Sequence, residues 1–122
     1  MSRPPAERFE DLIVSQKSHE LVLLVYKETA SFPKFELYAL ASQMRKAAIS
    51  VPANIADGFK RRGKIDKARF MNVAQGSLEE LRYYFVLARD LGYVTTEVER
   101  ERIGDIGRLL TAYARSIVQS AS

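Results

Sequence analysis

The sequence predicts an all-α protein, an antiparallel, up-down-up-down bundle of four helices. Apolar residues recur at alternating spacings of three and four along four separate segments, which is typical of helix faces that pack in a bundle. No segment shows the apolar-polar alternation of a strand. The segments are joined by short connections, and these force neighbouring helices to run antiparallel.

Length and composition indicate one ordinary globular domain. The chain has 122 residues, of which 47% are hydrophobic and 28% are charged. We expect residues 1–7 to form a flexible N-terminus and residues 8–120 to form a single four-helix domain. Cysteine is absent, so disulfides and thiolate chemistry are excluded. We expect a cytoplasmic protein, because no secretory pattern opens the sequence and the longest apolar run, residues 21–26, is too short to span a bilayer.

The first helix is expected over residues 8–31, before Pro33. Its block from Leu21 to Tyr26 is apolar around the whole circumference of the helix, whereas a helix in an isolated bundle needs only one apolar stripe. Either this helix is buried centrally, or its second face is covered by another subunit. The sequence leaves both readings open.

The second helix is expected to begin near residues 33–36, because a proline suits the first turn of a helix. Its core-facing seam consists of Leu37, Ala41, Met44, Ala48, Val51 and Ile55. This seam passes Pro52 without a change of phase. We therefore predict one continuous helix to about Arg62, bent at Pro52.

The third and fourth helices have clear boundary signals. Gly63 separates the second helix from the third, for which Asp66 is the predicted cap, and Gly92 is a natural stop at its end. Thr96 and Glu99 have the spacing of a capping box, which predicts the start of the fourth helix.

Few residues in this sequence could carry out catalysis or bind a metal. His19 is the only histidine, and its neighbours Ser18 and Glu20 do not face it on a helix. No Glu-x-x-His pair is present, so the signature of a di-iron bundle is missing. We therefore expect no catalytic residue, no cofactor and no metal, and a protein that is not an enzyme. The segment from Gly104 to Gly107 matches the GxxG string of the KH domain, a nucleic-acid-binding module. Because it lies inside a helical seam here, it indicates close helix packing instead.

A polar stripe follows the second helix beside its apolar seam. It consists of Gln43, Ser50, Asn54 and Asp57, and the third helix offers Gln75, Ser77 and Glu80 as partners. The stripe is interpreted as a buried hydrogen-bonded layer that fixes helix register, which would have to be well paired. The alternative is a polar strip that lines a ligand site or a pore.

A basic cluster lies at the turn between the second and third helices. It consists of Lys60, Arg61, Arg62, Lys64, Lys67 and Arg69. Some positive charge is expected there, because it complements the helix dipole. Six cations in ten residues exceed that need, which favours contacts with nucleic-acid phosphates, and Arg45 and Lys46 are secondary candidates. Tyr and Phe are not interleaved with these charges, so base stacking is not expected.

Two segments together resemble a known family. They are FPKFELYALASQMRKAAISVPANIADGFKR and RFMNVAQGSLEELRYYFVLARDLGY, and they are similar to bacterial four-helix-bundle proteins encoded by intervening sequences in 23S ribosomal RNA genes. The resemblance implies a ring-like homopentamer without catalytic residues that interacts with ribosomal RNA. Distant relatives assist the reverse transcriptases of diversity-generating retroelements. Lys46 and Asp57 depart from the family's usual arginine and glutamate, which weakens any bidentate contact there.

These observations lead to two functional hypotheses. The first is a non-enzymatic homo-oligomer, with a pentamer favoured, that binds RNA or a ribonucleoprotein through the basic cluster. The second is a scaffold or adaptor that docks a protein partner without nucleic acid, and it predicts an exposed apolar surface.

Overall fold

The computed structural model describes residues 5–120. This part of the chain contains no strand and consists mainly of four helices, which confirms the predicted all-α class. Their bounds are α1, Ile13–Thr29; α2, Leu40–Lys60; α3, Lys64–Asp90; and α4, Glu97–Gln119. Two short 3-10 turns, Phe9–Asp11 and Lys34–Glu36, precede α1 and α2. None of these helices is both long and apolar enough to cross a membrane.

The four helices are arranged so that each packs against two neighbours. Helix α1 packs on α2 and α4, and α3 packs on the same two helices, whereas no Cα atoms of the diagonal pairs lie within 8 Å of each other in the described residues. The α2–α3 interface is the most extensive. One core lies between the helices, with Leu21, Met44, Ile55, Leu81 and Leu110 fully buried in it. This arrangement confirms the four-helix bundle.

The first helix is shorter than the predicted span of residues 8–31. Leu12 is extended, with a ψ of 132°, and separates the 3-10 turn Phe9–Asp11 from α1. The Asp11 carboxylate accepts hydrogen bonds from the backbone N–H groups of Glu7 and Arg8, both at 3.1 Å. This side chain ties the incoming chain to the turn. Residues 1–4 of the predicted N-terminal segment lie outside the described residues.

The predicted start of the second helix is wrong. Lys34–Glu36 form a 3-10 turn, and Ala39 leaves the helical region with a φ of −123° and a ψ of −108°. Helix α2 therefore begins at Leu40, and Leu37 is exposed on the connection instead of joining the core. The rest of the predicted seam is buried.

Helix α2 continues through Pro52, as predicted. Proline has no N–H, so the carbonyl of Ala48, four residues earlier, loses its helical donor. No described side chain donates to that carbonyl; the Asn54 amide donates instead to the Ser50 carbonyl at 2.7 Å. Val51 and Ile55 are fully buried on either side of the proline, so core packing keeps the helix continuous. The bend at Pro52 stays a prediction.

The boundaries of α3 and α4 follow the sequence signals with two exceptions. Gly63, and not Asp66, is the N-cap of α3. Gly92 ends that helix with a φ of 82°, and the N–H groups of Gly92 and Tyr93 close the last turn on Arg89 and Ala88. Helix α4 starts after Thr96, as predicted, but the Thr96 side chain makes no capping hydrogen bond, so the predicted capping box is not formed.

Candidate nucleic-acid interface

The six cations of the basic cluster lie at one end of the bundle. Helix α2 ends at Lys60 and α3 begins at Lys64, so the turn between them projects from that end. We call this surface the basic end. The C-terminus of α4 reaches the same end, because the Lys64 ammonium group donates a hydrogen bond to the backbone carbonyl of Ser120. The structure therefore brings these six residues into one region, as the sequence predicted.

Two aspartates neutralise part of this charge. Asp66 lies between two guanidinium groups, 2.7 Å from Arg69 and 3.8 Å from Arg61, and Asp57 lies 3.2 Å from Arg61. These groups are substantially exposed, so each pair contributes little to stability. Residues 57–69 contain six cations and two acids, so the turn keeps a surplus of four positive charges.

Two phenylalanine rings pack against cations of the basic cluster, and these contacts were not predicted from the sequence. The guanidinium carbons of Arg61 and Arg69 lie 4.6 and 4.8 Å from the centre of the Phe70 ring. The Lys67 ammonium lies 5.5 Å from the centre of the Phe59 ring. These are cation–π distances. Phe59 and Phe70 stand immediately before and after the basic run in the sequence. Their positions could have indicated that aromatic side chains pack against its cations.

Lys67 has a structural role at the end of α2. Its ammonium group donates hydrogen bonds to the carbonyls of Phe59 and Gly58, at 2.7 and 3.4 Å. The Phe59 carbonyl has no backbone donor at this helix end, whereas the Gly58 carbonyl also accepts from the Arg61 N–H at 3.1 Å. Among the described residues, only Lys60 and Arg62 of the basic cluster have no hydrogen-bond or ion-pair partner. These two cations are available to an external anion.

The secondary candidates lie away from the basic end. The Arg45 guanidinium donates to the Thr29 hydroxyl at 2.9 Å and lies 4.8 Å from the centre of the Tyr26 ring, so it joins α2 to α1. Lys46 is exposed. It precedes Lys60 by fourteen positions on the same helix, which corresponds to about 21 Å. The structure does not bring Arg45 and Lys46 together with the basic cluster.

Only half of the predicted polar layer forms. The hydroxyls of Ser50 and Ser77 are 2.7 Å apart and join α2 to α3. The Asn54 amide donates to the Ser50 hydroxyl at 2.9 Å. All three side chains are half-buried, and they support the register reading of the stripe. The remaining predicted members do not belong to this network and are exposed, because the stripe runs along the outer margin of the interface: Gln43, Asp57 and Glu80. Gln75 does not pair with the stripe either, since its amide donates to Thr111 on α4.

Comparison with known proteins identifies the family. The family model described as 23S rRNA-intervening sequence protein matches residues 10–112. The chain belongs to this family. It is also similar to a solved structure from Bacteroides thetaiotaomicron VPI-5482, a protein of unknown function from the S23 ribosomal protein family. The two chains are 21% identical, the match covers 87% of this chain and 95% of the other, and the TM-score is 0.60. At this identity the likeness concerns the fold. No curated protein matches this chain.

One carboxyl group of this 23S rRNA-intervening sequence family member is buried away from the basic end. Glu99 in the first turn of α4 is only 3% exposed, and its Oε2 atom has no hydrogen-bond partner. Burial raises the pKa of Glu99, and the neighbouring Glu28 on α1 raises it further, although the charge of Arg102 opposes this. No group of three or more His, Cys, Asp or Glu side chains within residues 5–120 could hold a metal ion.

Proposed function

We propose that this family member is a non-enzymatic homo-oligomer that binds RNA, alone or in a ribonucleoprotein, through phosphate contacts at the basic end. The observation that supports this most directly is the state of Lys60 and Arg62. Both are exposed and without a partner among the described residues. They stand on a turn with a surplus of four positive charges. Cations of this kind release counterions when they meet phosphates.

The neighbouring arginines are suited to the same contact. Asp66 and the Phe70 ring hold the guanidinium groups of Arg61 and Arg69 in place, so less side-chain entropy is lost when a phosphate binds. Phosphate contacts carry little sequence information. We therefore expect binding that depends strongly on salt and weakly on RNA sequence.

Self-association is supported by the apolar surface of α1. Leu23 and Tyr26 lie one turn apart on α1 and are 56% and 42% exposed. The Tyr26 ring contacts Arg45 on α2. Ile49, which is also exposed, lies one turn after Arg45 on that helix. Apolar side chains grouped in this way favour an interface. A ring of subunits, a pentamer being favoured by the family resemblance, would repeat the basic end and strengthen its field.

The second candidate function is a scaffold that docks a protein partner without nucleic acid. The connection between α1 and α2 favours it. Phe35 and Tyr38 on this connection are 76% and 91% exposed. They lie at the end of the bundle away from the basic cluster, and exposed aromatic side chains are enriched at protein interfaces.

The proposal is tested by replacing the two unpartnered cations. Binding of a fluorescent ribosomal RNA fragment is measured by anisotropy between about 50 and 200 mM salt, the range over which phosphate contacts are strongly weakened. We expect the Lys60→Ala/Arg62→Ala variant to bind more weakly at low salt. Its slope of log affinity against log salt should be smaller by about 1.4, at roughly 0.7 per lost contact.

The matched control removes two positive charges from the other end of the bundle. Lys27→Ala/Lys34→Ala changes two exposed lysines near the α1–α2 connection, and it should leave RNA affinity almost unchanged. Equal loss in both variants, or no loss in Lys60→Ala/Arg62→Ala, would contradict the proposal. A pulldown dominated by one protein and insensitive to nuclease would favour the scaffold.

A further inference from the structure

The outer edge of the α3–α4 interface contains a continuous groove. Three hollows of about 280, 610 and 440 Å³ lie along it. Arg82 lines the first two hollows, and Gln75, Thr111 and Arg115 line the last two. On α3 the groove extends from Ala68 to Val86, eighteen residue steps that correspond to about 27 Å. It therefore follows most of the length of the bundle.

The charged residues that line this α3–α4 groove are mostly arginines. They are Arg82, Arg100, Arg108 and Arg115, against Glu79 alone. Arg82 pairs with Glu79 at 3.3 Å and Arg108 pairs with Asp105, whereas Arg100 and Arg115 have no partner among the described residues. The hollow on the other side of α4 differs, because Glu20, Glu101 and Asp105 outnumber Lys17 and Arg102 there. The basic character therefore distinguishes the α3–α4 groove from this second hollow.

Glycines keep the groove open. The sequence predicted that Gly104 and Gly107 allow close helix packing, and the structure shows that they do not. A Cβ atom at Gly107 would meet only Leu78, at 3.7 Å, and one at Gly104 would meet only the guanidinium of Arg108, at 3.5 Å. These are ordinary contact distances. Glycine destabilises a helix relative to alanine, and it permits a ligand to approach the backbone closely.

The middle of the groove is lined by both polar and apolar side chains. The Gln75 amide donates to the Thr111 hydroxyl at 3.0 Å across the groove, and this hydroxyl donates to the Gly107 carbonyl at 2.9 Å. The Gln75 amide and the Thr111 hydroxyl keep further hydrogen-bonding capacity, so together with the arginines of the groove they can contact the sugars and phosphates of a nucleic acid.

We propose that the α3–α4 groove binds the phosphodiester backbone of a single RNA strand that continues from the basic end. The inference rests on the proposed function and adds a path for the strand. The groove begins at Ala68, beside Arg69 of the basic cluster, and Arg115 lines it near the same end. Packed helix axes are roughly 8–10 Å apart, so a groove between them is too narrow for a duplex.

Two variants test the groove with a single-stranded RNA about twenty nucleotides long, which exceeds the groove at 3.4 Å per stacked nucleotide. Arg100→Ala/Arg115→Ala removes the unpartnered cations. Raising the salt from about 50 to 200 mM weakens RNA binding by a certain factor, and this factor should be about sevenfold smaller for the variant than for the wild type. Each lost contact reduces the steepness of log affinity against log salt by roughly 0.7. Gly104→Ala/Gly107→Ala should weaken binding and raise Tm, because alanine favours the helix but fills the groove.

Control variants distinguish an incorrect groove inference from an incorrect proposed function. Lys17→Ala/Lys27→Ala removes two exposed charges from α1 and should bind RNA normally. If Lys60→Ala/Arg62→Ala weakens binding and neither groove variant does, the groove inference is overturned and the proposed function stands. If the wild-type protein binds no RNA at low salt, both are overturned. Displacement of the RNA by polyglutamate at equal charge would indicate an acidic protein partner and overturn the groove inference.

Discussion

At the scale of single residues, Gly58 shows where the basic end depends on close packing. A Cβ atom there would lie 2.5 Å from the Met71 methyl group and 2.8 Å from the Phe70 Cβ. The first of these atoms can move, but the second is fixed by the backbone of α3. Gly58 therefore sets the distance between α2 and α3 beside the basic cluster.

We predict that Gly58→Ala destabilises the protein by about 1–3 kcal/mol, because it forces atoms into a packed interface. Urea unfolding measures the change. Gly76→Ala is the matched control, since nothing lies within 4 Å of a Cβ atom at that helical glycine, and it should stabilise the protein by about 0.5–1 kcal/mol. Equal stability of the Gly58→Ala variant and the wild type would show that the two helices can separate without cost.

Glu99 predicts a pH dependence of stability. Its pKa is raised in the folded protein, chiefly by burial and further by Glu28. A group of this kind contributes its stability below the pKa of the unfolded state, and this contribution is lost as pH rises through the folded pKa. We therefore expect the wild type to lose stability relative to Glu99→Gln as the pH rises from about 4.3, the ordinary pKa of a glutamate, towards neutral.

The measurement is urea unfolding of both proteins across this pH range. Glu101→Gln, which changes an exposed glutamate of the same helix, is the control and should follow the wild type. A stability difference between wild type and Glu99→Gln that stays constant with pH would refute the assignment.

Single residues were predictable from the sequence where a local rule decides the outcome. Gly92 adopts a positive φ and Thr96 precedes α4, as their positions predict. Glu99 was predicted to cap α4 but is buried beside α1. Its environment comes from a helix about seventy residues earlier in the chain, so the spacing of Thr96 and Glu99 contains no information on it.

At the scale of helices, the core-facing seams were predictable and the helix ends were not. The α2 seam from Ala41 to Ile55 is buried, because a repeated spacing indicates the apolar face. Leu37 fits the same spacing but lies outside α2, where the backbone at Ala39 is not helical. Capping and turn geometry decide such ends, and they depend on neighbouring elements more than on periodicity.

Pro52 predicts a difference between folding and assembly. Replacement by alanine restores a donor for the Ala48 carbonyl and removes the steric cause of a bend in α2. We expect Pro52→Ala to keep its helix content and cooperative unfolding, and to change the shape or mass of the oligomer. Circular dichroism and small-angle X-ray scattering measure the two properties. An oligomer of unchanged mass and shape would show that the proline has no architectural role.

At the scale of the whole molecule, the surface of α1 predicts self-association. The wild type should sediment as a multiple of the 13.8 kDa chain, with five copies favoured. Leu23→Glu should shift it towards the monomer, because a charge in a buried interface costs free energy. Val98→Glu on α4 is the control, since Val98 is 54% exposed and Leu23 is 56% exposed. A wild-type monomer would contradict the prediction.

The arrangement of charge was only partly predictable from the sequence. The basic cluster is local in the chain, so its position at one end of the bundle follows from the α2–α3 turn. The arginines of the groove come from two helices and are spread over residues 82–115, so no run of charge indicates them. Their convergence depends on the rotation of α3 and α4 about their own axes, which the tertiary packing sets.

The central proposal is that the basic end binds RNA phosphates. Its most direct test is the affinity of the wild-type protein for a ribosomal RNA fragment as a function of salt. We expect binding at about 50 mM salt and a slope of log affinity against log salt of about −1.4 or steeper, for two or more contacts at roughly 0.7 each. Absence of binding at that salt concentration, or an affinity that does not change with salt, would contradict it.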